Sequence, residues 1–94
     1  MKISKLIKVN NIRGIHLRPS AMIASTASQY KSKMMIFLGD RVLDAKSILE
    51  VASMAAPRDT MLEIVADGDD AKEAIDAVSD ILEKEFNFPN EADE

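Results

Sequence analysis

Between Ile3 and Asn10, Lys5, Ile7 and Val9 fall on one side of a period of two and Leu6 and Lys8 on the other. This alternation predicts a first strand with Ile7 and Val9 facing a core, closed by the turn pair Asn10-Asn11. Beyond the loop through Arg13 and Gly14 the period changes. Met22, Ile23, Ala27 and Tyr30 recur at helical spacing, with Ser25 and Ser28 outside, and predict a helix begun at Pro19 and ending near Tyr30. Residues 33–38 are so evenly apolar that period alone does not separate strand from helix. The hairpin pair Gly39-Asp40 directly after them decides for a strand, returning through Arg41 to Asp44. Ser47-Ile48-Leu49-Glu50 has the form of a capping box, in which Ser47 accepts from the N–H three residues on and Glu50 reaches back. A second, short helix therefore starts there, and Pro57 stops it. Residues 61–66 alternate again, placing Leu62, Ile64 and Ala66 inward, and Asp67-Gly68-Asp69 turns the chain. In the last helix, capped by Asp69 or Asp70, Ala71, Ala74, Ile75, Val78, Ile81 and Leu82 form the inner stripe, and Phe86 and Phe88 pack its end.

The order βαββαβα predicts an α+β open-faced sandwich: a four-stranded antiparallel sheet with three helices on one face. Periodicity does not choose the strand order. Residues 1–88 read as one domain, and the acidic stretch 89–94 as a disordered tail. The second helix carries more apolar residues (Ile48, Leu49, Val51, Ala52, Met54) than one face can bury, which points to an exposed patch for a partner. Of the six methionines, Met22 and Met34 are assigned to the core.

Composition narrows the function classes. The chain of 94 residues has no cysteine and one histidine, which disfavours disulfides and zinc sites, and no cofactor or metal is expected. A net charge of −4 and the scarcity of aromatic stacking residues argue against nucleic-acid binding. No apolar run approaches the roughly 20 residues of a membrane span, and the lysines near the start interrupt any signal-like core, so a soluble, cytoplasmic protein is expected. Lys2, Lys5, Lys8, Arg13 and Arg18 crowd the first part, whereas Asp67, Asp69, Asp70, Glu91, Asp93 and Glu94 lie late. The surroundings of the histidine are thus locally basic and suited to an acidic protein partner.

That histidine lies in Gly14-Ile15-His16-Leu17-Arg18-Pro19-Ser20-Ala21. Pro19 is tolerated only in the first helical turn, which puts His16 at the cap. There the unpaired N–H groups and the positive end of the helix dipole welcome an anion and disfavour imidazolium, keeping a neutral, nucleophilic ring. Arg18 adds a permanent planar charge suited to phosphate oxygens. By spacing alone, a solvated cap histidine is the commoner outcome.

Gly14-Ile15-His16 followed by Arg18-Pro19 resembles the active-site signature of the HPr phosphocarriers of the bacterial sugar phosphotransferase system. Asp44-Ala45-Lys46-Ser47-Ile48-Leu49 resembles the family's second signature, and Gly68 also falls in place; the resemblance spans residues 2–85. It implies strand order one, four, two, three. It also implies that His16 takes a phosphoryl group on Nδ1 from enzyme I, itself charged by phosphoenolpyruvate, and passes it to enzyme IIA domains, with Arg18 balancing the charge. The protein would then be a phosphohistidine carrier rather than an independent enzyme. Ser47 matches the serine that an HPr kinase/phosphorylase modifies in many members, although its capping role alone would explain it. Leu17 and Ser20 depart from the usual small residues and, with Ile48, Leu49 and Val51, are assigned to partner contact. Ala55-Ala56-Pro57 stand where the family usually has glycine, which affects the backbone path from Met54 to Thr60. The alternative is a regulatory binding module of the same fold, acting through Ser47 or direct protein contacts.

Overall fold

In the computed structural model, residues 1–10 and 17–83 are described. They form β1 (Lys2–Lys8), α1 (Leu17–Ala27), β2 (Lys33–Leu38), β3 (Arg41–Asp44), α2 (Ile48–Ser53), β4 (Met61–Asp67) and α3 (Ala71–Glu83). The strands make one antiparallel sheet in the order β1-β4-β2-β3. The helices cover one face and leave the other open.

The register follows from burial. Ile36 pairs with Ile64 and Leu43, and Ile64 also faces Lys5 on β1, so the inward residues of the two middle strands are completely enclosed. Ile7, Val9, Met34, Leu62 and Ala66 join them beneath Ile23, Ala27, Ile75, Val78 and Leu82 of the helices. On the open face Phe37 stands opposite Val42, and Leu6 and Met61 are exposed. Lys5, on the inward side of an edge strand, reaches Ser79 Oγ at 3.3 Å and Glu83 Oε1 at 3.0 Å, so its stem covers the core margin while its charge stays paired.

Several expected boundaries shift. The first strand stops at Lys8, and Val9 continues as a single exchange, its N–H donating to Thr60 O while its carbonyl accepts from Asp59 N. Asn10 then turns onto the end of α3, donating from its amide to Leu82 O and from Nδ2 to Glu83 O, two carbonyls the helix itself leaves open. Regular α1 ends at Ala27, and Gln29 and Tyr30 follow in tighter turns onto the carbonyls three residues back. Met34 is wholly buried and Met22 packs partly buried against the core, as assigned. Phe86, Phe88 and the acidic stretch 89–94 lie outside the described residues.

Two turns show why particular residues stand there. A Cβ on Gly68 would sit 2.8 Å from Ser32 Cα, and its φ is +156°, so glycine permits the close approach between the β4–α3 and α1–β2 connections. Asp70 occupies the cap position of α3, its carbonyl accepting from Ala74 N, but its carboxylate turns away to accept from Lys31 N, Ser32 N and Ser32 Oγ. Asp70 therefore ties two connections together as well as starting a helix.

Candidate functional site

Helix α1 begins at Leu17, directly after His16 in the chain, and Pro19 is its third residue, so the proline stands in the first turn as its chemistry requires. Residues 11–16, including Gly14 and His16, lie outside the described residues, as does the Leu17 side chain. Arg18 is exposed on the first turn and Pro19 is buried. Ser20 is fully buried, and its Oγ has no hydrogen-bond partner among the described residues. The expected contact of Ser20 with a partner is therefore corrected: one turn into α1, the side chain points inward.

Helix α2 packs on α1 and on β3. Ser47 is its N-cap, extended at φ −101° and ψ 114°, with Oγ accepting from Glu50 N at 3.2 Å. The second half of the expected capping box is replaced. Glu50 Oε1 accepts from Asp44 N at 3.0 Å, while Ser47 N donates to Asp44 O and the Asp44 carboxylate accepts from Lys46 N. Because the Ser47 amide is already given to Asp44 O, the Glu50 side chain takes the amide at the end of the strand instead.

The apolar surplus of α2 divides as a helix of one and a half turns must. Val51 and Met54 are buried, and Ile48 and Leu49 stand 44% and 83% exposed. Val51, expected to meet partners, is corrected to a core residue, because with Met54, three positions on, it forms the face of the helix that packs into the core. Arg41, which the sequence did not single out, donates to Ser53 O at 3.1 Å and Ser53 Oγ at 2.8 Å, closing the C-terminal end of α2. Lys46 Nζ likewise reaches Tyr30 O at 2.8 Å and joins the end of α1 to the start of α2. No sequence spacing announces these long-range bonds. Beyond α2, Ala55 takes a left-handed backbone at φ +48°, which turns the chain so that Ala56 is buried.

These features define a small α+β sandwich that presents two packed helices, α1 and α2, with an exposed arginine on the first and an exposed aliphatic pair on the second. The family model described as "PTS HPr component phosphorylation site" matches residues 3–84. The chain is 37% identical over 82 residues to the phosphocarrier protein HPr of Treponema pallidum, covering 87% of this chain and 93% of that one. It is 35% identical over 80 residues to that of Neisseria meningitidis, covering 85% and 90%. Among solved structures, the phosphocarrier protein HPr of Bacillus anthracis superposes with a TM-score of 0.83 at 27% identity, over 87% of this chain and 98% of that one. HPr-C-His from Thermoanaerobacter tengcongensis gives 0.80 at 31%, over 85% and 90%. This chain belongs to the HPr family, the phosphocarriers of the phosphotransferase system.

Proposed function

We propose that this protein relays a phosphoryl group from phosphorylated enzyme I, ultimately from phosphoenolpyruvate, through His16 to enzyme IIA domains in the bacterial cytoplasm. The observation that carries this reading is that α1 starts at the residue after the protein's only histidine, within a span matched by a family model for a phosphorylation site. In the transfer, the lone pair of neutral His16 Nδ1 forms the new N–P bond as the bond to the donor breaks. No proton is taken from the attacking nitrogen when the reacting tautomer carries its ring proton on Nε2. Arg18, exposed on the first turn, supplies positive charge to the phosphoryl oxygens. Such a nitrogen–phosphorus bond stays labile enough to pass on. Leu17, Ile48 and Leu49 are proposed to form the contact surface for both donor and acceptor. No helix among the described residues is long and apolar enough to cross a membrane.

The test is incubation with phosphoenolpyruvate and an enzyme I, read by intact mass and site mapping. Wild type gains one phosphoryl group on His16 and His16→Ala gains none; equal labelling of the variant overturns the reading.

Ser47 is proposed as a site for an HPr kinase/phosphorylase where one is present. A dianion at the start of α2 suits the helix dipole, but it would stand beside the proposed contact pair Ile48 and Leu49 and hinder enzyme I. A Ser47→Asp variant that accepts phosphoryl at the wild-type rate removes this regulatory role.

A further inference from the structure

Helix α2 has six residues, far fewer than the roughly 12–15 at which an isolated helix becomes even marginally stable in water. Its position is therefore set by what holds it. Val51 and Met54 anchor it through one face, but apolar contact is non-directional and leaves the helix free to roll or slide by small amounts. Directional restraint comes from β3, which holds α2 from both of its own ends. At the end of the strand, Asp44 N donates to the Glu50 carboxylate; at its start, Arg41 donates to both the carbonyl and the hydroxyl of Ser53, the last helical residue. The Ser53 hydroxyl in turn donates to Glu50 O at 2.6 Å, so the two holds are joined along the helix. The Arg41 hold is charge-assisted and falls on a C-terminal carbonyl, where a cation is favoured.

We propose that Arg41 is a positioning residue for partner docking: acting through Ser53, it fixes the orientation in which α2 presents Ile48 and Leu49. This rests on the phosphocarrier reading, and it adds a residue of the β2–β3 hairpin to the machinery without giving it contact with the phosphoryl group or the partner.

The experiment measures initial rates of transfer from enzyme I at varied concentrations of wild type, Arg41→Met, Ser53→Ala and the double variant, each checked as folded by circular dichroism. Arg41→Met keeps the stem and removes the guanidinium. It is expected to raise KM about two- to fivefold, the range that loss of an exposed charged hold can produce, while kcat stays near wild type. Ser53→Ala raises KM less, and the double variant is no worse than Arg41→Met because both changes cut the same link. An unchanged KM in Arg41→Met or a matching fall in kcat overturns the positioning role, and so does a double variant whose KM rises by the product of the two single effects, which would make Arg41 act independently of Ser53. If wild type itself takes no phosphoryl group, the phosphocarrier reading fails and this inference with it; labelled wild type with unaltered variants fails this inference alone.

Discussion

Ala55 holds a left-handed backbone with a side chain that opposes it. At φ +48° its Cβ crowds the neighbouring carbonyl, a strain of roughly 1–2 kcal/mol that glycine does not suffer. Glycine enlarges the unfolded ensemble, which offsets part of the gain, so Ala55→Gly is expected to stabilise the protein by about 0.5–1 kcal/mol. Urea unfolding at neutral pH measures it, and an unchanged midpoint would show that the turn is unstrained. Asp70 makes the opposite kind of contribution. The Ser32 hydroxyl first and the Lys31 amide next hold its carboxyl down at about 2, with the Ser32 amide adding to them and partial desolvation opposing. A folded-state value below the unfolded one means that protons bind the unfolded chain more readily. The stabilisation is therefore complete above the unfolded value near 4 and is lost as pH falls from about 4 through about 2. Wild type should exceed Asp70→Asn in stability by a constant amount near neutrality, and the gap should close across that acid range. A gap independent of pH would remove the carboxylate from the account.

At the scale of the element, α2 joins the fold to the proposed function. Its sequence announced both its start and its surplus of apolar residues: Ser47 does cap it, and Ile48 and Leu49 do stand out from the core. The surplus could not say which residues would be spared, because a short helix has no long periodic stripe from which to read its roll. That choice came from β3 and α1, which took Val51 and Met54. Ile48→Glu and Leu49→Glu are accordingly expected to leave circular dichroism native while slowing transfer from enzyme I by about tenfold or more, as hot-spot contacts do. Full-rate transfer in both variants would exclude this patch from docking. Ser20 shows the converse in α1. A hydroxyl in a first turn reads as polar and outward, yet this one is fully enclosed.

For the whole molecule, the sequence by itself determined the seven elements and the inward faces of β1, β4 and α3. The alternation in 61–66 and the stripe from Ala71 to Leu82 each have one apolar side, and that in 3–9 has one broken only by Lys5, whose charge reaches Glu83 at the core margin; burying the opposite sides would put Lys8, Glu63 or the carboxylates of α3 in the core. The hairpin at Gly39-Asp40 was legible for the same local reason, since two residues suited to a tight turn leave the flanking strands little choice but to pair. The family, too, was legible from two short signatures, those around His16 and Ser47. The tertiary structure decided what depends on residues distant in the chain. It placed β4 between β1 and β2, an order that local patterns leave open because every strand offers the same kind of apolar face. It turned Asp70 onto Ser32, Glu50 onto Asp44 and Arg41 onto Ser53, since a polar side chain bonds to whichever open group folding brings within reach, and no spacing along the sequence records that distance.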